Sequence, residues 1–156
     1  MSNLLCESKV IIVTGGGGGI GAATCLRLGE EGASVVVADI NETAANEMAD
    51  RIVGQGGRAV GVQADVTSLE DNVKLADAAV EHFGAIHGIH LNAGIVIPSP
   101  VRNGDVDSWH KIINCNLTGP YYGMRSVLKH MGSGGSITYR KNKRPFHPSP
   151  TALDRS

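Results

Sequence analysis

A glycine-rich segment is the first place in this sequence where residue types and spacing indicate chemistry. Gly15–Gly21 follows the apolar run Val10–Val13 and leads into a helical pattern that begins at Ile20. Glycines let a chain turn tightly and let a phosphate approach main-chain N–H groups, and a helix start adds partial positive charge. A flexible linker is the alternative, but this position favours a dinucleotide site. The loop type that needs Lys after its last glycine is excluded, because Ala22 stands there.

A carboxylate follows the next apolar strand. Asp39 comes eighteen residues after Gly21, at the end of the run Val35–Ala38. It can accept hydrogen bonds from the adenosine ribose hydroxyls, and its charge would repel a 2′-phosphate. No Arg stands nearby to receive such a phosphate, so the pattern predicts NAD(H) rather than NADP(H). The alternative is that Asp39 only starts the following helix.

Asn116 is a polar residue in an apolar setting. It comes three residues after Ile113 and four after Ile112, and it shares their face of a predicted helix. A polar group on such a face needs a hydrogen-bond partner, often backbone or water. The pattern alone leaves two interpretations open, a satisfied core amide and a proton relay.

Apolar runs alternate with helical patterns along the chain, and this alternation predicts the elements that position these residues. Thr67 or Ser68 can cap the third helix, while Gly32 and Gly84 are stop signals for the first and third. Strand–helix–strand order implies right-handed crossovers, so the predicted fold is α/β, a doubly wound parallel sheet of the Rossmann type. The predicted strands are Lys9–Thr14, Ser34–Asp39, Arg58–Gln63, Ile86–Asn92 and Gly135–Thr138, and the predicted helices are Ile20–Glu31, Glu42–Val53, Leu69–Phe83 and Val106–Met131.

Composition excludes several function classes. A net charge of −1 over 156 residues predicts neither nucleic acid nor a membrane surface as a partner. The three cysteines and six histidines show no metal-ligand spacing, so we expect no metal site, and free thiols in a reducing compartment. No signal sequence or membrane-spanning run is visible, which predicts a soluble, cytoplasmic protein.

Residues 8–138 resemble the short-chain dehydrogenase/reductase family in four motifs that occur in the family's order and spacing. One departure is Leu91, which precedes the third motif where the family more often has Asn. The motifs are Thr14-Gly15-x-x-x-Gly19-Ile20-Gly21, Asp65-Val66, Asn92-Ala93-Gly94 and the segment 109–119 that contains Asn116.

The resemblance implies NAD-dependent alcohol oxidation or carbonyl reduction on a small-molecule substrate. It implies a catalytic role for Asn116, and homo-oligomers are common in the family. The substrate itself and the oligomeric state are not predicted. The residues assigned to the cofactor are Gly15, Gly19, Ile20, Gly21, Asp39, Ile40, Asp65, Val66, Asn92, Ala93 and Gly94.

The resemblance stops after Thr138. In the family a catalytic Ser and a helical Tyr-x-x-x-Lys pair follow, and neither stands at its expected place here. Tyr139 and Lys143 do have the Tyr-x-x-x-Lys spacing, but they follow the fifth strand directly. Pro145 also disfavours helix at the residue before it, so we interpret the pair as a coincidence.

The chain therefore divides into a dinucleotide-binding domain over residues 1–138 and a basic, proline-containing tail over 139–156. The tail has five basic residues, one acidic residue and no glycine. A disordered terminus, a localisation or nucleic-acid segment, and an ending produced by a frameshift or splicing change are its three interpretations. The last predicts that another reading frame beyond Thr138 encodes the missing Ser and Tyr-x-x-x-Lys.

These features predict five strands, a fold truncated before the sixth and seventh, and impaired catalysis. A non-catalytic NAD-binding or interaction module is the alternative function. The fifth strand would then be an exposed edge, so we also expect poor solubility of the isolated chain.

Overall fold

Five parallel strands form the sheet in a computed structural model that describes residues 4–140. The strand order is β3-β2-β1-β4-β5, which confirms the predicted doubly wound α/β fold and its strand count. The strands are β1 (Val10–Thr14), β2 (Ser34–Asp39), β3 (Arg58–Gln63), β4 (Ile86–Leu91) and β5 (Met131–Tyr139), and the helices are α1 (Gly19–Glu30), α2 (Glu42–Gly54), α3 (Leu69–Phe83), α4 (Val106–Ile113) and α5 (Gly119–Leu128), with a π-helical turn (Asn114–Thr118) between the last two.

The central strands are apolar without alternation because helices cover both of their faces. Val35, Val36 and Val37 of β2 are all fully buried. On one face the core includes Cys25 of α1 and Ile52 of α2. On the other face it includes residues of α3 and α5, which completes a three-layer arrangement.

Helix caps agree with the sequence signals. The Ser68 hydroxyl accepts the Asp71 N–H and is therefore the cap of α3, which settles the choice between Thr67 and Ser68. Gly84 ends the same helix in a left-handed conformation, as the stop signal predicts. Gly32 has the corresponding conformation just beyond α1.

The predicted single helix Val106–Met131 is wrong in two respects. It is broken by the π-helical turn, and it ends at Leu128, so that Met131 belongs to β5. Pro120 explains the break, because it has no N–H to donate to the Asn116 carbonyl four residues earlier and its ring crowds that carbonyl.

Strand β5 is longer than predicted. It begins at Met131 rather than Gly135 and ends at Tyr139 rather than Thr138. Glycines weaken a strand pattern in the sequence, and here they lie within a register shift. Met131 pairs with Ile86 before the shift, and Ser136 pairs with Gly88 after it. None of the helices in the described part of the chain is long and apolar enough to cross a membrane.

Candidate functional site

A cleft of about 420 Å³ lies at the carboxyl edge of the sheet. The strand order reverses direction at β1, because β2 lies on one side of it and β4 on the other. Open α/β sheets bind ligands at the carboxyl ends of the strands beside such a reversal. The lining residues come from the ends of the first four strands and from α4 with its π-helical turn: Gly15, Asp39, Ile40, Ala64, Asp65, Val66, Thr67, Ala93, Gly94, Ile95, Lys111, Asn114 and Cys115.

The glycine-rich turn forms one wall of the cleft and requires its glycines. Gly15 has a φ of 64°, in the left-handed region that favours glycine. A Cβ on Gly21 would overlap the Gly15 carbonyl oxygen, so the turn and the start of α1 can approach only without side chains. A Cβ on Gly18 or Gly19 would meet no protein atom within 4 Å, so this side of the turn faces open space.

The N-terminus of α1 lies on that open side. Its N-cap is Gly18, which offers no side-chain hydrogen bond, and no acidic residue stands in its first turn. The first N–H groups of the helix are therefore left for a ligand, with the positive end of the helix dipole behind them. Ile20 is more than half exposed in this turn and does not line the cleft.

Asp39 points its carboxylate at the glycine-rich turn. Its Oδ2 accepts the Gly17 N–H at 2.9 Å, and its Oδ1 accepts the Asn41 N–H at 3.0 Å. The cap of α2 is the Asn41 side chain, which accepts the Ala44 N–H, so Asp39 is not the residue that caps this helix. Since a carboxylate has about four acceptor positions, Asp39 keeps capacity for further donors.

The end of β3 contributes a second carboxylate. Asp65 Oδ1 accepts the main-chain N–H of Thr67 at 2.8 Å and its hydroxyl at 2.7 Å. Val66 and Ile40 line the cleft beside it and supply apolar surface, Ile40 being 65% exposed. This end of the cleft therefore combines a carboxylate with apolar contacts.

Asn92 ties the end of β4 to the end of β1. Its Nδ2 donates to the carbonyl oxygens of Thr14 at 3.0 Å and Gly15 at 3.1 Å. The Thr14 hydroxyl in turn accepts the N–H groups of Asn92 and Ala93, both at 3.1 Å. Asn92 is 5% exposed, so it shapes the cleft from behind while Ala93 and Gly94 line it.

Both amide atoms of Asn116 bond to one residue. Oδ1 accepts the Ile95 N–H and Nδ2 donates to the Ile95 carbonyl, each at 2.8 Å. The amide thus has the backbone partner that its apolar setting requires. The Asn116 carbonyl accepts the Tyr139 hydroxyl at 2.8 Å, which replaces the helix donor that Pro120 cannot supply.

Several cleft residues were not anticipated from the sequence. Lys111, Asn114 and Cys115 stand at positions i, i+3 and i+4, a spacing that could have indicated one shared helix face. Burial, followed by the negative charge of Asp65, raises the pKa of the Cys115 thiol. No sequence pattern indicates that Thr67 lines the cleft, because its position depends on the hydrogen bonds that it donates to Asp65.

Tyr139 belongs to β5 and not to a helix, so it lacks the geometry of a helical Tyr-x-x-x-Lys pair. Lys143 and the rest of the basic tail beyond Arg140 lie outside the described residues. Cys6, Cys25 and Cys115 are free thiols. Among residues 4–140 there is no group of three or more His, Cys, Asp or Glu that could hold a metal ion.

Comparisons with known proteins agree with this geometry. The profile of the family described as short chain dehydrogenase matches residues 9–139. The chain is 35% identical to versicolorin reductase 1 of Dothistroma septosporum over 138 residues, which cover 88% of this chain and 52% of that protein. It is 39% identical to cyclohexanol dehydrogenase of an Acinetobacter species over 137 residues, 86% of this chain and 54% of the relative.

Solved structures are similar over the same region. A hydroxysteroid dehydrogenase from Escherichia coli matches with a TM-score of 0.82 and 32% identity, over 88% of this chain and 57% of that one. A mutant short-chain dehydrogenase/reductase from Serratia marcescens matches with a TM-score of 0.82 and 27% identity, over 86% and 55%. The chain thus spans about half the length of the curated relatives that it matches.

Proposed function

This chain belongs to the short chain dehydrogenase family, and we propose that it binds NAD(H) in the cleft as the cofactor-binding part of an oxidoreductase. The reaction is the interconversion of an alcohol and a carbonyl compound, with the cofactor carrying the hydride when bound. The observation that carries the proposal is the Asp39 carboxylate, held on the Gly17 N–H at the rim of the glycine-rich turn.

The glycine-rich turn fits a pyrophosphate. The open space above Gly18 and Gly19 admits a group where a side chain would otherwise stand, and α1 presents uncapped N–H groups towards it. An anion at a helix N-terminus gains from both the N–H donors and the helix dipole. Gly15, Gly19, Ile20 and Gly21 hold the phosphates in this proposal.

Asp39 gives the site its preference for NAD(H). Its unused acceptor positions bind the adenosine ribose hydroxyls, and hydrogen bonds to a charged group contribute roughly 1.5–3 kcal/mol each. A 2′-phosphate would bring negative charge against the same carboxylate. No Arg or Lys forms an ion pair with Asp39 within residues 4–140 that could offset this repulsion.

The remaining predicted residues divide between the two ends of the cofactor. Asp65, Val66 and Ile40 would contact the adenine, with the Asp65 carboxylate as a hydrogen-bond acceptor. Asn92, Ala93 and Gly94 would hold the nicotinamide half at the end of β4. The relatives are named for different substrates, so the substrate is proposed only as an alcohol or carbonyl compound.

Substitution of Asp39 tests this function directly. In Asp39→Asn we expect NAD to bind about 10-fold more weakly or worse, because a charge-assisted hydrogen bond is lost. The preference for NAD over NADP should shrink, since the repulsive charge is gone. Isothermal titration of both cofactors measures the two effects.

Asp50→Asn is the matched control, because Asp50 is exposed on α2 away from the cleft. It should leave both affinities unchanged. Equal NAD affinity in Asp39→Asn and the unsubstituted chain would contradict the proposed role of Asp39. Absence of NAD binding to the unsubstituted chain would overturn the function itself.

A non-catalytic NAD-binding module is the second candidate, and the position of Tyr139 favours it. Tyr139 is in a strand and donates its hydroxyl to the Asn116 carbonyl, so it is not part of a helical Tyr-x-x-x-Lys pair. Positioned acid–base groups contribute about 10²–10⁴ in rate. Turnover assays with NAD and a panel of secondary alcohols separate the two: turnover that disappears in Tyr139→Phe supports the enzyme, and NADH binding without turnover supports the module.

A further inference from the structure

Arg140 extends the parallel pairing of the sheet by one residue beyond β5. Its main-chain N–H donates to the Leu91 carbonyl at 3.1 Å, at the end of β4. This bond places Arg140 at the carboxyl edge of the sheet, the same edge at which the cleft lies. The sequence context of Arg140, among the basic residues of the tail, does not predict this position at the sheet.

The Arg140 guanidinium lies one amide group away from the glycine-rich turn. Its Nη1 donates to Asn92 Oδ1 at 3.4 Å. The nitrogen of that same amide donates to the Gly15 carbonyl at 3.1 Å. Asn92 is almost fully buried and accepts no other bond at Oδ1 in the described residues, so its side chain contacts both the guanidinium and the glycine-rich turn.

The charge of Arg140 has no carboxylate partner within residues 4–140. The ion pairs in this part of the chain involve Arg27, Lys74, Lys129 and His130 instead. A guanidinium has five N–H donors and stays charged at any physiological pH, and only one donor is directed to Asn92. The positive charge of Arg140 also affects a neighbouring side chain. Burial lowers the pKa of His90, and the charge of Arg140 lowers it further.

We propose that Arg140 binds a phosphate oxygen of the dinucleotide and so forms a cationic contact of the cofactor site on the β5 side. The proposal rests on the proposed function, because it needs a dinucleotide whose pyrophosphate lies on the glycine-rich turn. Arginine can donate two parallel N–H bonds to a phosphate, in a fork that Lys cannot reproduce. The family motifs described above contain no such cation.

Three variants of the full chain test the contact. Arg140→Gln removes the charge, Arg140→Lys keeps the charge without the fork, and Arg51→Gln is the control. Arg51 is exposed in the last turn of α2, at the opposite edge of the sheet. Isothermal titration with NAD and with ADP-ribose, at low and moderate salt, supplies the affinities, and thermal melting shows that each variant is folded.

We expect Arg140→Gln to weaken the binding of NAD and of ADP-ribose by the same factor, about 10-fold or more, because charge-assisted hydrogen bonds to a phosphate are lost. Its affinity should also depend less on salt, while Arg140→Lys shows an intermediate loss and Arg51→Gln shows none. Should Arg140→Gln fail to fold, a loss in a folded Arg140→Lys variant still supports the contact, and an unchanged affinity there overturns it.

Other outcomes overturn the inference in distinguishable ways. If Arg140→Gln binds both ligands as the unsubstituted chain does, the contact is absent while the proposed function stands. A loss for NAD without one for ADP-ribose would place Arg140 at the nicotinamide rather than at a phosphate. If the unsubstituted chain binds neither ligand, the proposed function and this inference fall together.

Discussion

The packing beneath the glycine-rich turn changes the pKa of one thiol, that of Cys25. Cys25 is fully buried in α1, and a Cβ on Gly16 would stand 3.0 Å from its Sγ. Burial raises the pKa of the Cys25 thiol from 9.0 to about 12, and the negative charge of Asp39 adds to the rise. The thiol therefore stays protonated over the whole physiological range and is a poor nucleophile.

Alkylation should therefore leave Cys25 unmodified in the folded chain. We expect iodoacetamide at pH 8 to label Cys6, which is only half-buried, well before Cys25, and to reach Cys25 only on unfolding. Mass spectrometry of digested samples, with and without denaturant, reads each site. Equal labelling of both cysteines in the native chain would contradict the packing of α1 beneath the turn.

The raised pKa of the Cys25 thiol also predicts that the stability of the chain depends on pH. The folded-state pKa is raised, so above pH 9 the unfolded chain loses a proton that the folded chain keeps, and the free energy of unfolding falls as pH rises towards 12. The contribution is at most about 1.4 kcal/mol per pH unit. Denaturant titrations from pH 8 to 10 should show a shallower fall in Cys25→Ala than in the unsubstituted chain.

At the scale of elements, the π-helical turn controls where the loop after β4 lies. Pro120 breaks the regular helix, and Asn116 in the turn then bonds to both main-chain groups of Ile95. π-helical turns of this kind occur frequently at functional sites. Here the turn fixes one wall of the cleft, because Asn114, Cys115 and Ile95 all line it.

Removal of the Asn116 amide should release this loop. In Asn116→Ala two main-chain groups lose partners, so we expect the free energy of unfolding to fall by about 2 kcal/mol. Hydrogen exchange at the Ile95 amide should become faster. Asn103→Ala, at an exposed loop position, is the control and should change neither quantity.

Unchanged exchange at Ile95 in Asn116→Ala would show that the loop is held by other contacts. A large loss of turnover with no effect on loop exchange would instead favour the direct catalytic role that the family resemblance assigns to Asn116. The two roles are thus separated by comparing exchange and activity in one variant.

At the scale of the whole molecule, β5 is the edge of the described sheet, and its residues from Gly132 to Ser136 are exposed. Beside it a groove of about 330 Å³ opens on the sheet face next to α1, lined by residues of α1, β1, β4 and β5. An unpaired edge and an uncovered face both favour pairing with another chain.

The isolated chain should therefore self-associate, and a charge on the edge should oppose it. We expect Ser133→Lys to lower the association, because an exposed Lys on an edge strand disfavours strand pairing. Gln55→Lys, exposed at the end of α2, adds the same charge away from the edge and should have little effect. Sedimentation velocity over a range of concentrations measures this, and a monodisperse monomer with a sharp melt would contradict the expectation.

Local sequence patterns are sufficient to predict the fold class, the strand count and most element bounds. These depend on local patterns: apolar runs such as Val35–Ala38, and caps and stops at Ser68 and Gly84, whose effects act over a few residues. The family follows in the same way, since its motifs are short. Three of them stand at the ends of strands, and the fourth, residues 109–119, spans the end of α4 and the π-helical turn. The position of Asp39 near the glycine-rich turn also followed, because parallel strands end at one edge.

Features that depend on partners distant in the chain could not be predicted from the sequence and are seen only in the folded chain. Strand β5 was underestimated because its glycines have little strand preference alone, and pairing with β4 determines its length. The partner of Asn116 is a main-chain group twenty-one residues away, and Arg140 meets Asn92 across forty-eight. Contacts at such separations leave no periodic signal in a sequence, because they arise from strand order and packing that involve the whole sheet.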